Sequence, residues 1–463
     1  MVSRRLWAVV ALVAADAQVT SDGRLLGASS GATSGTRFVA SRVAAYDGPR
    51  HNWTSAGVKA LPRPWSACER CGVVTTINAP TEAIFRVGNA SGWCLVVVGD
   101  KKTDAAPYEA LAAARPETVA YLGVAAQQAL PYGTAAATPW NHFARKNLGY
   151  LYAMHAGAKT IFDFDDDNEL VAPLPASAGA GVRALRPRVA KPLGKSGGGS
   201  AFVNAYAAGF GGDGIWPRGL PLPAINADAE FRVVDGAAHA EDLDGTVGAA
   251  QGLADHDPDV DAIYRLGPRA ALPLPFAFPK DETAARSLVL DDFAVCPFNA
   301  QATLFDRHAF FALLLPHTVH GRVADIWRGY VAQRLFRLAG LKLAFLPPLV
   351  RQMRNDHDLQ GDYMSERPLY ETAEALVRLL DDAQVRRNGA GAVARAFEDV
   401  YVALYEFGFL QLDDVRYLQL WIADLAKVGV AFPDARARSV GRPGRPKARR
   451  PARGWTPPQE HGY

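Results

Sequence analysis

Thr160-Ile161-Phe162-Asp163-Phe164-Asp165-Asp166-Asp167-Asn168 sets a short apolar run directly ahead of a knot of carboxylates. Carboxylates this close repel one another unless a cation or shared protons intervene. Hard divalent cations such as Mg²⁺ and Mn²⁺ take one or two such oxygens and complete their shell with substrate phosphates and water. Two registers compete for that task, Asp163-x-Asp165 and Asp165-x-Asp167. Asp165 belongs to both, and Asp166 lies between them. The plain alternative is an acidic turn that only solubilises a strand end, so the surrounding elements must decide.

Those elements form an alternating series. The apolar run at 160–164 follows a helical pattern over 141–157 that has Leu148, Leu151, Tyr152 and His155 on one side and Gly157 as its stop. Gly72 to Asn78 and Trp93 to Asp100 read as earlier strands, with a weaker one at 119–123. Continuous apolar runs of this kind belong to parallel strands covered on both faces. Strand and helix in alternation predict an α/β fold, a doubly wound, mostly parallel sheet whose ligands bind outside the carboxyl ends of the strands. Asn78, Asp100 and Asp163–Asp167 all fall at such ends. Arg145 and Lys146, with Asn147 beside them, open the helix before the acidic strand, where a diphosphate can be held between helix start and metal.

Further blocks make a family resemblance. Arg145-x-Asn147-x-Gly149, then Ala156-Gly157, then the acidic strand resembles the nucleotide-sugar region of GT-A glycosyltransferases. Val-Val-Val-Gly-Asp-Lys-Lys-Thr (96–103), Arg-Lys-Asn-Leu-Gly-Tyr-Leu (145–151), Ile-Phe-Asp-Phe-Asp-Asp (161–166), Trp-Pro-Arg-Gly-Leu-Pro-Leu (216–222) and Gly-Arg-Val-Ala-Asp-Ile-Trp-Arg-Gly-Tyr (321–330) together resemble the STELLO family of Golgi glycosyltransferase-like proteins, over residues 73 to 350. The resemblance implies a GT-A-like fold and transfer from a nucleoside-diphosphate sugar to a glycan or glycoprotein acceptor. Mn²⁺ or Mg²⁺ would be the cofactor, and a polysaccharide synthase complex is an implied partner. It implies that Asp100 contacts the nucleobase or ribose, that Thr76 and Asn78 line the same pocket, and that Arg145, Lys146, Asn147 and Asp163 face the donor. Asp163, Asp165, Asp166 and Asp167 are the candidate metal ligands. Asp325 takes the place of the base that removes the acceptor's proton. Helix capping for Asp100, strand-end bonding for Asn78 and a dipole-favoured helix start for Asp325 are the structural alternatives. Trp216 and Trp327 are candidates for stacking on sugar or for the core. Asp255, Asp257, Asp259 and Asp261 with His256 form a second acidic knot, and His357 is a possible third metal ligand.

Length allows one large α/β domain with additions. Residues 1–17 read as a signal peptide, with an apolar run too short to span a bilayer comfortably, or as an uncleaved short anchor. Residues 18–70 read as a stem, 71–350 as the transferase-like domain with a flexible insertion at 172–200, 351–430 as a helical appendage, and 431–463 as a disordered basic tail. The tail, from residue 435, holds seven Arg and one Lys against one Glu, which leaves the rest at about −4. A body of that charge is no nucleic-acid binder. Sequons at Asn52 and Asn89 fit a Golgi-lumen address, and Cys68 with Cys71 could close a small disulfide loop there. Cys94 and Cys296 read as small buried hydrophobes.

Overall fold

The computed structural model describes residues 42–51, 53, 61, 68–193, 199–225, 231–235, 247–267, 274–282, 284–354, 358–386 and 391–436. The expected signal peptide, Asn52, His357 and almost all of the basic tail lie outside these residues.

Thirteen strands are present among the described residues: β1 (Arg70–Thr75), β2 (Cys94–Val98), β3 (Val119–Leu122), β4 (Thr160–Phe164), β5 (Asn168–Leu170), β6 (Arg188–Pro192), β7 (Ala201–Phe202), β8 (Phe231–Asp235), β9 (Val247–Asp255), β10 (Leu288–Leu290), β11 (Ala294–Val295), β12 (Ala302–Asp306) and β13 (Lys342–Gln352). All but β7 and β11, which pair separately, join one sheet ordered β3-β2-β1-β4-β12-β9-β13-β10-β6-β8, with β5 beside the end of β13. β1 to β4 are mutually parallel, β12 runs against β4 and β9, and β9 runs parallel to β13. The carboxyl ends of β1, β2, β4, β9 and β13 and the start of β12 therefore meet on one rim.

Both faces of the sheet are covered, as an α/β fold requires. Val73, Val96, Val98 and Ile161 enter one hydrophobic core, and Val74, Leu95, Val97 and Phe162 enter the other. The main helices are α1 (Glu82–Gly88), α2 (Ala105–Ala114), α3 (Lys146–His155), α4 (Gly321–Ala339), α5 (Leu359–Asp382), α6 (Ala392–Glu406) and α7 (Leu412–Lys427). α3 lies so close to the sheet that a Cβ on Gly149 would stand 2.6 Å from Val98 and 2.7 Å from Val73. No helix among the described residues is long and apolar enough to cross a membrane.

Several expectations change. The 172–200 stretch carries a helix at Ala178–Ala184 and strand β6 of the main sheet, so it is part of the fold up to residue 193. Its Ala/Gly-rich composition hid both elements. Residues 262–266 form a helical turn capped by Asp261. The stem's residues 42–51 are tied down, with Arg50 on Asp399 and His51 on Glu398 of α6. Cys68 is bonded to Cys94, tying the approach to β1 to β2, and Cys71 and Cys296 are free and buried. The central strand β9 carries Val-Gly-Ala-Ala-Gln-Gly-Leu-Ala, with little intrinsic β preference. It is a strand because it is sandwiched between β12 and β13. Gly252 is required there, since a Cβ would meet Leu349 at 2.5 Å, where the Pro347-Pro348 segment of β13 breaks register.

Candidate functional site

Lys146 begins α3 and is fully buried beneath the acidic knot. Its Nζ lies 2.7 Å from Asp163 Oδ1 and 3.0 Å from Asp165 Oδ1, and it donates to the Ala300 carbonyl at 3.1 Å. Burial disfavours the ammonium, yet Asp163 and Asp165 raise its pKa above the ordinary value. Asp163 is fully buried as well. Tyr150 donates to its Oδ1 at 2.7 Å and Arg328 of α4 to its Oδ2 at 2.7 Å. Both oxygens of Asp163 are thus engaged by protein donors, which leaves it unfit as a metal ligand or donor contact; it is the counter-charge of Lys146 and Arg328.

The surface-facing carboxylates are Asp165 and Asp167. Asp165 sits in a recess but keeps 35 % of its side-chain surface exposed. Burial pushes its carboxyl up to about 7, Lys146 opposes that shift, and Asp167 and Asp163 add to it. Asp167 is raised too, chiefly by burial, against a 3.0 Å hydrogen bond from Gln352 Nε2. Asp166 turns the other way, accepting from Thr76 Oγ1 and, at 2.9 Å, from Asn78 Nδ2, while its carbonyl accepts from Thr81. Thr76 and Asn78 therefore fix the acidic loop against the end of β1. Asp167 accepts from Asn168 Nδ2 at 2.7 Å as well as from Gln352, and Asp166 is a loop anchor, so Asp165 is the carboxylate of the knot least engaged by hydrogen-bond donors other than Lys146. Among the described residues no three His, Cys, Asp or Glu converge as a ready-made metal cage. A hard cation held by two carboxylates and substrate phosphates needs none.

Asp100 ends β2 on the same rim, accepting from Lys101 N at 2.7 Å and His142 N at 3.1 Å. The following helix is capped by Asp104 instead. Arg145 is buried, bonded to Gln127 and the Thr138 carbonyl, with its guanidinium 3.6 Å from the Trp140 ring centre. Asn147 is buried and bonded in both directions to Leu315 and also to Tyr417. Both are structural supports beneath the rim. The helix-start anion site expected at Arg145 and Lys146 is replaced by internal pairing, because neither side chain reaches the surface.

Asp325, on the first turns of α4, is buried and held by Arg218 through Nη2 at 2.9 Å and Nη1 at 3.2 Å. Arg218 also binds Asp259, which Arg218 holds at about 2 in spite of burial. A carboxylate clamped this way cannot take a hydroxyl proton without giving up the pair. The place expected of a base is a positioning place. Asp325 Oδ2 also lies 3.4 Å from the amide of Ala300, whose carbonyl meets Lys146. The second acidic knot is likewise structural: Asp257 pairs with Arg265, and Asp261 accepts from Trp216 Nε1. Trp216 and Trp327 are both core residues. Sequence reasoning missed Tyr150, Arg218, Arg328, Gln301 and Gln352. Tyr150, Arg218 and Arg328 lie inside three of the blocks that carry the resemblance, which was the available signal; nothing local marks the two glutamines.

The model for STELLO glycosyltransferases matches residues 322–449, the C-terminal helical part and much of the basic tail. Two Arabidopsis thaliana proteins align over 85 % of this chain: probable glycosyltransferase STELLO2 at 28 % identity and probable glycosyltransferase STELLO1 at 27 %. This chain is related to the STELLO glycosyltransferases. It spans about half the length of these two relatives, 50 % and 49 %. The helical appendage and the basic stretch to residue 449 fall within the family match, so neither is an addition peculiar to this chain. A mannosyltransferase from Pyrobaculum calidifontis, solved in complex with GDP-Man and Mn²⁺, superposes with TM-score 0.33 at 13 % identity, covering 79 % of this chain and 76 % of its own.

Two outcomes are expected from this geometry. Lys146→Met leaves Asp165 without its buried cation and weakens the Asp163 triad, at a cost of about 3–5 kcal/mol in urea unfolding. Because the Asp165 carboxyl is raised in the folded state, its contribution to stability is complete below the ordinary carboxylate range and is lost as pH rises through about 7. Asp165→Asn should remove that slope, so metal-free wild type and variant differ progressively more between pH 4 and pH 7 in thermal melts.

Proposed function

We propose that this chain is a metal-dependent glycosyltransferase of the secretory pathway that uses a nucleoside-diphosphate sugar and inverts configuration by direct displacement at a glycan or glycoprotein hydroxyl. The observation that carries this reading is the Asp165-x-Asp167 pair at the carboxyl end of β4, where burial and neighbouring carboxylates oppose ionisation. A divalent cation bound there would relieve that repulsion and stabilise charge on the departing diphosphate. Thr76, Asn78 and Asp100, at the ends of β1 and β2, would frame the nucleobase and ribose. Asn78 and Thr76 would do so while holding Asp166. Lys146 keeps Asp165 directed toward the rim. The kinship with STELLO glycosyltransferases supports the reaction class. An exposed Asn89 within a sequon and the Cys68–Cys94 bond support an oxidising, glycosylating compartment such as the Golgi lumen.

The purified chain is expected to bind UDP or GDP, or their sugars, in calorimetry only with Mn²⁺ or Mg²⁺ present. Asp165→Ala should weaken that binding at least tenfold, about 1.4 kcal/mol. A folded protein that binds no member of a nucleotide panel would overturn the reading.

A second reading is a non-catalytic member that assists assembly of a polysaccharide synthase complex. The specific observation in its favour is the Arg218 clamp on Asp325, the position expected of the base. Complementation separates the two: a scaffold keeps full activity in cells with Asp165→Ala, and an enzyme does not.

A further inference from the structure

We infer that His256 is the group that takes the proton from the acceptor hydroxyl, an assignment that rests on the glycosyl-transfer reading above. His256 follows β9 on the same rim as Asp165 and Asp167. Its backbone is left-handed, with φ +74°, although it is not glycine. Such a residue is held there by its surroundings, and retained strain gathers where a side chain must be aimed. Both of its backbone groups are fixed by Phe276, which donates at 2.8 Å and accepts at 2.7 Å.

The imidazole Nδ1 lies 3.1 Å from the carbonyl oxygen of Gln352. A carbonyl only accepts, so Nδ1 carries the hydrogen, and in the neutral ring Nε2 presents its lone pair, the form of histidine that serves as a base. Nε2 has no protein partner among the described residues. The side chain of the same Gln352 holds Asp167 at 3.0 Å, so one residue registers both the base and the cation-binding carboxylate.

Other groups near the rim are of the wrong kind. His142 and His320 accept through Nδ1 from the amides of Ala144 and Arg322, at 3.0 and 3.3 Å, which leaves the hydrogen of the neutral ring on Nε2. His317 stacks on Tyr417 beside Asp414. Asp255 accepts from Phe278 N at 2.9 Å, and Asp257, Asp259 and Asp325 are paired with arginines. In the transfer, the acceptor O–H bond breaks with its proton passing to Nε2, and the oxygen electron pair forms the bond to the anomeric carbon. The bond from that carbon to the diphosphate oxygen breaks, and its electron pair leaves with the diphosphate.

The test uses the full chain with Mn²⁺, the nucleotide sugar that binds best in the panel and a glycan acceptor mixture, with nucleotide release as the readout. His256→Asn keeps a side-chain donor for Gln352 and tolerates the left-handed backbone, so folding is preserved. It should bind the metal–nucleotide within twofold of wild type and lose about 10²-fold or more in turnover. His256→Ala should behave alike and regain turnover with added imidazole. Wild-type turnover in His256→Asn, or no imidazole rescue, overturns the assignment alone. If wild type binds no nucleotide, or binds it without turnover, the transfer reading fails and takes this one with it.

Discussion

The buried triad of Lys146, Asp163 and Arg328 is the constraint on which the rest of the site depends. Three charges removed from water are tolerable only when each is paired and its remaining hydrogen-bonding capacity is filled. Tyr150 and the carbonyls of Ala300 and Asn299 take up most of it here, with Arg328 Nε left over. The triad joins α3, β4, α4 and the 299–301 turn at one point. None of these elements can shift without exposing a charge to an apolar interior. The acidic loop thereby starts from a fixed strand end, and Asp165 takes its direction from Lys146.

The rim is held from outside as well. Gln301 donates to Gln352, which reaches Asp167, so the start of β12 and the end of β13 are fastened to the loop after β4. The helical appendage is equally committed. Asp424 of α7 accepts from the amides of Gly133 and Thr134, and Asp414 accepts from His317. Tyr417 meets both Thr138 and Asn147. The segment that carries Trp140, His142 and Arg145 is shaped from behind by α7, which fits a family match centred on the C-terminal part of the chain.

The two acidic knots show how similar sequences separate in a fold. Asp163–Asp167 and Asp255–Asp261 both present alternating carboxylates after a strand. In the second, Arg218, Arg265 and Trp216 neutralise or cap Asp257, Asp259 and Asp261, Asp255 accepts from the Phe278 amide, and His256 stands at the rim. In the first, Asp163 is consumed internally and Asp165 and Asp167 remain. Spacing alone does not distinguish a spent carboxylate from an available one, because partners such as Arg218, Trp216 and Arg328 come from chain positions more than forty residues away.

The sequence by itself determined the α/β class, the parallel strands β1 to β4, the placement of the acidic knot at a strand end and the shared importance of Asp165. Those follow from local apolar periodicity and from the rule that strand ends carry ligands. It also carried the family resemblance, in blocks around Arg145, Asp163, Arg218 and Asp325. Tertiary structure decided the rest. β9 is a strand through its neighbours, since its Ala and Gly residues have no preference of their own. Cys68 pairs with Cys94 because strand pairing brings them together, whereas the nearby Cys71 points into the core. Arg145, Lys146 and Asn147 turned from donor contacts into buried supports, and Asp325 into the partner of Arg218. In each case the deciding quantity was whether a distant group satisfies a buried charge or donor, and that depends on packing, which no local pattern contains.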